Sequence, residues 1–395
     1  MKLSKRINSV ADSVTMKSAQ RAIELKNSGI NLIDLTVGEP DFPTPENIKN
    51  AAKEALDRNQ TKYTVNSGLI ELRKAICQRL KYDHNLDYSP DEIIVSTGAK
   101  QSIFNAIQVL INDGDEVLLP VPGYVSYEQI VNFAGGKPVK ILCKEDDNFL
   151  LKPEQLKKNI TSKTKMLVLC NPSNPTGAVH FEKDLVEIIN VLQDKDIFIL
   201  VDEIYEKLIY DNQVLKSFPS LSEKIKEKTI LINGFSKSYA MTGWRLGYAA
   251  ADRKIISAMN KLQSHSTSNA STISQVAGIE AMLGPQDFIL EMQNEYQLRR
   301  DFLITEFERI LERKIHKPAG AFYIFLNIQN FLNEKFNLKN SIDFSNYLLE
   351  KHGIATVPSI GFGVDGFIRI SYTKDLKTLK AAINKFEQAF KELSV

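Results

Sequence analysis

Apolar residues in this chain gather in short unbroken runs, separated by longer stretches where they recur every three or four positions. The short runs are EIIVS (92–96), EVLLP (116–120), PVKILC (138–143), MLVLC (166–170), FILVD (198–202), TILIN (229–233) and GYAAA (247–251). Continuous rather than alternating apolarity marks strands buried on both faces of a parallel sheet. Amphipathic segments such as AKQSIFNAIQVLI (99–111) and FEKDLVEIINVLQDK (181–195) lie between many of them. The pattern predicts βαβ units and a large α/β domain with a mostly parallel sheet over about 50–285.

The rhythm changes in the last third. A long helical pattern (287–313) precedes strand-like FYIFL (322–326), helix-like DFSNYLLEKH (343–352), strand-like FIRIS (367–371) and a final helix over 376–393. These predict a smaller α+β domain over 286–395, hinged on the long helix, with residues 1–49 forming an arm and part of that domain. A chain of 395 residues exceeds one usual hydrophobic core, which agrees with two domains. No internal repeat or low-complexity linker interrupts it, so the two are expected to pack as one body.

Charge and cysteine usage narrow the classes. The net charge is +2, with both signs well mixed, which argues against a nucleic-acid partner. The N-terminus lacks an apolar signal core, and no run approaches the ~20 apolar residues of a membrane span. Cys77, Cys143 and Cys170 are scattered without a C-x-x-C, and the five histidines show no ligand spacing. A disulfide framework or a metal site is not expected, most histidines read as surface or packing residues, and the chain reads as soluble and cytoplasmic.

In open α/β sheets, ligands sit beyond the carboxyl ends of the strands. Four such exits carry polar clusters here: Thr97-Gly98-Ala99-Lys100; Asn171 to Gly177, reading NPSNPTG; Asp202-Glu203-Ile204-Tyr205; and the stretch GFSKSYAMTGWRLGY (234–248). Each has a plain structural alternative. NPSNPTG could be a proline-rich turn, Asp202 a helix cap, and Lys237 and Arg245 ordinary loop cations. Together they supply a backbone anion cradle, an isolated carboxylate, a phenol, an amide and a lysine. Pyridoxal phosphate needs that set: an acid to keep its ring nitrogen protonated, a lysine for the Schiff base, and cationic and hydroxyl donors for its phosphate. Lys237 is the candidate Schiff-base lysine, with Ser236 and Arg245 beside it for the phosphate. Arg369, in FIRIS, shares a strand face with Phe367 and Ser371; it could be an edge-strand surface arginine, but its guanidinium suits a bidentate hold on a substrate carboxylate.

With LTVGEPDFPTP (35–45), KYTVNSGLIELRKAI (62–76), STGAKQS, NPSNPTG, VDEIYEKLIY, GFSKSYAMTGWRLGY, KPAGAFY (317–323) and FIRISY (367–372) in order, the chain resembles the class I aminotransferases of the aspartate aminotransferase family. These are pyridoxal-phosphate-dependent transferases of fold type I, and the bacterial subgroup is the nearest. The resemblance implies a homodimer with a seven-stranded sheet in its large domain. It implies that Lys237 carries the cofactor and acts as base, and that Asp202 pairs with the ring nitrogen. Tyr205 and Asn174 would bond the ring oxygen, and Tyr124 would stack on the ring. Gly98, Ala99, Lys100, Ser236 and Arg245 would bind the phosphate, with Tyr63 reaching the partner subunit's phosphate. Arg369 would hold the substrate α-carboxylate, with Gly38 in backbone contact. The reaction implied is a ping-pong transfer from an L-amino acid, aspartate first, to 2-oxoglutarate or oxaloacetate.

Other substrates remain open at this point. No second arginine for a distal carboxylate is identifiable, so aromatic amino acids are the alternative, and a C–S β-lyase shares the scaffold. Gly123-Tyr124 replaces the subgroup's usual aromatic pair, SNAST (268–272) a usual SNPTS, and VPSIGFG (357–363) a usual VPGSGFG. These departures bear on pocket shape rather than reaction type. Two further readings are set aside. Gly361 to Gly366 match G-x-G-x-x-G but precede a strand rather than open a helix, so no nucleotide site is expected. The 34 residues before Leu35 read as an arm plus one helix, without room for a DNA-binding domain.

Overall fold

The computed structural model describes residues 3–11, 20, 21, 23, 24, 29 and 32–394. The arm and helix expected ahead of Leu35 fall largely outside this set. In chain order the strands are β1 (Ile33–Asp34), β2 (Ile93–Ser96), β3 (Glu116–Val121), β4 (Lys137–Leu142), β5 (Thr164–Cys170) and β6 (Phe198–Asp202). They continue as β7 (Thr229–Gly234), β8 (Gly247–Ala250), β9 (Tyr323–Asn327), β10 (Ile354–Ala355), β11 (Val357–Pro358) and β12 (Phe367–Ser371).

Seven of them build one sheet in the order β2-β8-β7-β6-β5-β3-β4. Only β8 runs antiparallel, against both β2 and β7; the other pairings are parallel. The unbroken apolar runs have the expected cause, because both sheet faces are covered. Met166 and Val168 of β5 and Leu200 of β6 face a core shared with Ile103, Ile107 and Met259. Leu167, Leu169, Ile199 and Val201 face the opposite core with Leu185, Ile188 and Leu192. Alternation therefore puts Asp202 on the side of Leu200, facing the helix Ala99–Leu110.

The last third forms a second, antiparallel sheet in the order β11-β12-β9. The helices Asp287–Leu311, Ser341–His352 and Leu376–Leu393 pack with it around Phe307, Phe344 and Phe386. Arg369 is thus on a central strand, opposite Phe325 and Val357, and is only 5 % exposed; the edge-strand alternative does not hold. The chain's early part is stitched to this body. β1 pairs in parallel with β10, Leu35 N donates to Ala355 O (3.0 Å), and Ser371 N donates to Leu35 O (2.9 Å). That stitch sets Thr36 to Glu39 beside Arg369. The turn after β6 joins the same core through Ile204, Tyr205 and Leu208, so the groups at the sheet's edge meet those of the smaller body there. Among the described residues no helix is long and apolar enough to cross a membrane.

Candidate active site

β6 and β7 lie side by side; Asp202 closes the first opposite Ile232, and the second runs two residues further to Gly234. Beyond them opens a cavity of about 430 Å³. Gly38, Ala99, Lys100, Tyr124, Asn174, Asp202, Tyr205, Ser236, Lys237, Arg245 and Arg369, scattered over most of the chain, all line it. Gly98 sits just behind: it opens the helix Ala99–Leu110 at φ +84°, and a Cβ there would come within 2.6 Å of Arg245 Nη2. Tyr63 is not brought to this cavity. It is 93 % exposed, on another face beside Lys62 and Arg73.

Asp202 is a buried carboxylate, 4 % exposed. Oδ2 accepts from Tyr127 Oη at 2.7 Å and Oδ1 from Ile204 N at 3.2 Å. No helix follows Asp202, so the helix-cap alternative does not hold; the second bond instead ties the carboxylate to its own turn. Burial pushes the Asp202 carboxyl up to about 6, against the lowering effects of Tyr127, Ile204 N and the Lys237 charge. No cation bonds it directly, so a cationic ring nitrogen would answer its charge.

Lys237 Nζ donates to the Gly38 carbonyl, and it lies 5.9 Å and 5.7 Å from the ring centres of Tyr205 and Phe322. Desolvation brings its amine down to about 8; Arg369 and Arg245 push the same way, while Glu39 and Asp202 oppose. Such an amine gives up its proton far more readily than a surface lysine. Ser236 and Arg245 flank it. Arg245 is exposed at the mouth, in a left-handed conformation (φ 51°) that a non-glycine residue adopts at a cost, and its Nη1 donates to Thr242 O at 2.8 Å.

Arg369 is held from several sides. Nη1 donates to Asn174 Oδ1 (3.0 Å), Nη2 donates to Thr36 O (2.8 Å), and the guanidinium lies 4.4 Å from the Tyr323 ring centre. Its Nε is buried without a partner. Among the described residues no carboxylate pairs with this buried guanidinium, so its charge suits an anion in the cavity that it lines. Tyr205 Oη and Tyr323 Oη are 2.9 Å apart, linking the sheet side of the cavity to the Arg369 side. The donor set therefore fits pyridoxal phosphate: a carboxylate for the ring nitrogen, a phenol beside it, an amine of lowered basicity, and a glycine-opened helix end under an arginine.

Several lining residues had no role assigned from sequence. Tyr127 stands one helical turn after Tyr124, a spacing that could have revealed it. Tyr323 and Glu39 lie in quoted motifs, yet nothing local marks them. Gly123, which departs from the family pattern, sits where a Cβ would come within 2.5 Å of Pro120 O, so the backbone itself requires a glycine. The Gly361 to Gly366 segment passes through a short 3₁₀ turn into β12 and opens no helix.

Known proteins resemble this chain in sequence and in fold. The family model for aminotransferase class I and II matches residues 30–386. An aspartate aminotransferase of Bacillus sp. (strain YM-2) is 42% identical over 389 residues, covering 98% of this chain and 99% of the relative. A probable aspartate/prephenate aminotransferase of Rickettsia typhi is 41% identical over 392 residues, covering 98% of each. The solved aspartate aminotransferase of Thermus thermophilus with maleate superposes with a TM-score of 0.93 at 35% identity, covering 98% of this chain and 99% of that one. The chain belongs to the aminotransferase class I and II family.

Proposed function

We propose that this enzyme transfers the amino group of L-aspartate to 2-oxoglutarate, by ping-pong half-reactions, with pyridoxal phosphate as cofactor. The observation that carries the reading is the placement of the Lys237 amine in one cavity with the Asp202 carboxylate and the Arg369 guanidinium. When bound, pyridoxal phosphate supplies a carbonyl that condenses with amines and a ring that accepts electron density. Asp202 holds a proton at the ring nitrogen, and Tyr127 keeps Asp202 aimed. Tyr205 and Asn174 would donate to the ring oxygen, and Tyr124 would cover one face. Gly98, Ala99 and Lys100, with Ser236 and Arg245, would hold the phosphate.

Arg369 takes the substrate α-carboxylate in a two-pronged hold and so fixes which Cα bond faces Lys237, with Gly38 alongside. Lys237 Nζ then removes the Cα proton; an amine with a value about 8 is poised to take it and return it near neutral pH. The aspartate assignment rests on the names of the relatives and on the maleate, a four-carbon dicarboxylate, in the Thermus thermophilus structure. A second reading, prephenate as amino acceptor, is favoured by the Rickettsia typhi relative's name. The working unit is read as a homodimer, since Tyr63 lies exposed and outside its own cavity, where a partner's site could receive it. Free Cys77, Cys143 and Cys170 suit a reducing, cytoplasmic setting.

The deciding experiment is a visible spectrum of the purified chain with pyridoxal phosphate, before and after aspartate, followed by product analysis with 2-oxoglutarate, prephenate or no oxo acid. A band bleached by aspartate and restored by 2-oxoglutarate supports the reading. Restoration by prephenate at higher kcat/KM moves it to the second. Bleaching by phenylalanine or tyrosine alone, or pyruvate released from cystathionine without an oxo acid, overturns the substrate assignment. No band overturns the role of Lys237.

A further inference from the structure

The turn that carries Asp202 and Tyr205 is gripped from behind by charges that the chemistry above leaves unused. Along Asp202-Glu203-Ile204-Tyr205-Glu206-Lys207, Asp202 and Tyr205 line the cavity, while Glu206 and Lys207 reach the other way, to the end of the helix Ile70–His84. There His84 Nε2 meets Glu206 Oε2 at 2.7 Å, with the two side chains 7% and 9% exposed. Lys207 Nζ donates to Asp83 Oδ2 at 2.6 Å. Asp83 is itself fixed by Arg79, whose Nε and Nη2 donate to its two oxygens at 2.8 and 2.9 Å. Two consecutive residues of the turn thus meet two consecutive residues of the helix, with the signs reversed between them. The neighbouring Glu203 is fully buried, one oxygen accepting from Phe218 N (2.9 Å) and the other without a partner.

We propose that the reciprocal pairs His84–Glu206 and Asp83–Lys207 form a positioning clamp that fixes the turn 202–207 on the helix 70–84, and thereby the direction of Asp202 and Tyr205 in the cavity. Burying such charges is costly, and a well-packed apolar contact would hold a loop at least as firmly. What ion pairs add is register: only one placement of the turn satisfies both. The electrostatics agree. His84 is held above the ordinary histidine value, its burial outweighed by Glu206 and Glu203 against an opposing Lys207, and Glu206 is drawn down to about 2 chiefly by His84 and Lys207 against its burial. Asp83, His84 and Glu206 are near enough to one another to suggest a cation site, but Arg79 and Lys207 already occupy the oxygens of Asp83.

The proposal rests on the cofactor reading for its consequence, so the test has one arm that needs no cofactor. In the full-length chain, His84→Gln and Glu206→Gln are compared with Glu116→Gln, which breaks the Lys137–Glu116 pair at the start of β3, the opposite end of the sheet from the cavity. Amide hydrogen exchange of 202–207 is measured without cofactor. Pyridoxal phosphate affinity is read from the fluorescence of Trp244, the chain's one tryptophan, beside Arg245. Both clamp variants should speed exchange of that segment and weaken cofactor binding about tenfold, and lower kcat more than they raise KM, whereas Glu116→Gln should lower Tm and leave all three alone. If either clamp variant fails to fold, Lys207→Gln, at the more exposed pair, makes the same comparison. Clamp variants that lose Tm yet leave exchange, affinity and the kcat-to-KM split like those of Glu116→Gln overturn the clamp. Failure of the unmodified chain to bind pyridoxal phosphate overturns the cofactor reading instead, and exchange still decides whether the pairs hold the turn.

Discussion

Tyr127 Oη donates to Asp202 Oδ2 at 2.7 Å, between two fully enclosed groups. The phenol is itself pushed well above its ordinary value by burial and by the Asp202 charge, so it stays protonated and acts only as a donor here. It is the first of the effects that offset the burial of the Asp202 carboxyl. Removing it as Tyr127→Phe leaves a desolvated carboxylate with one backbone donor, and the value of about 6 must rise further. A protonated Asp202 offers no charge to a cationic ring nitrogen, so pyridoxal phosphate binding by the cofactor-free chain should strengthen as pH rises through that value. The acid limb of that binding should therefore move up by about one pH unit in Tyr127→Phe. A pH profile of pyridoxal phosphate affinity, titrated into the cofactor-free chain, checks this; an unmoved limb would show that Asp202 does not depend on Tyr127.

Lys237 predicts an exchange of stability for chemistry. An amine whose folded value is brought from 10.5 to about 8 destabilises the cofactor-free fold once pH falls below the ordinary lysine value. That penalty grows down to about pH 8 and is constant below it. Lys237→Met keeps the volume and drops the charge. The cofactor-free variant should melt about 2–5 °C higher than the parent at pH 7 while transamination falls by at least about 10³-fold. Calorimetry and a product assay read the two halves. A lower Tm would mean that the bond to the Gly38 carbonyl outweighs the desolvation.

Arg369→Lys tests geometry at constant charge. An ammonium cannot donate to Asn174 Oδ1 and Thr36 O while also presenting a free edge, nor lie flat on the Tyr323 ring as the guanidinium does at 4.4 Å. The expected loss in kcat/KM is about 10²–10³-fold, near 3–4 kcal/mol, for every amino acid tested, because all share the α-carboxylate. A loss confined to aspartate would instead place Arg369 at the side-chain carboxylate.

What the sequence disclosed and what it withheld follow from the range of the interactions. β3, β5, β6 and β7 were legible because strands covered on both faces must be apolar throughout, and a polar residue such as Asp202 at the end of such a run stands out. Lys237 and Arg245 were legible because their neighbours carry complementary chemistry within a few positions. The pairing of β1 with β10 was not, since two residues a side leave no periodicity to read. Nor was the His84–Glu206 pair, whose partners are 122 positions apart and whose histidine departs from the general reading of surface or packing residues. Tyr323 was hidden for the same reason: its work is to join Tyr205 and Arg369, and neither neighbour is near in sequence.

Gly98 offers the sharpest backbone test. It stands at φ +84°, ψ 156°, a region that residues with a Cβ enter at a cost of about 1–3 kcal/mol. Its missing Cβ is also what allows Arg245 Nη2 to approach, since the added carbon would lie 2.6 Å from it. Gly98→Ala should then do two separable things. Strain at the helix start should lower Tm whether or not cofactor is present. Displacement of Arg245 should weaken pyridoxal phosphate binding by about tenfold, because one charge-assisted hydrogen bond to the phosphate is broken or lengthened. Arg245→Ala isolates the second effect without the first. If the affinity of the double variant Gly98→Ala/Arg245→Ala equals that of Arg245→Ala alone, the glycine acts on the cofactor through the arginine; if the losses add, the backbone N–H groups behind Gly98 bind the phosphate on their own account.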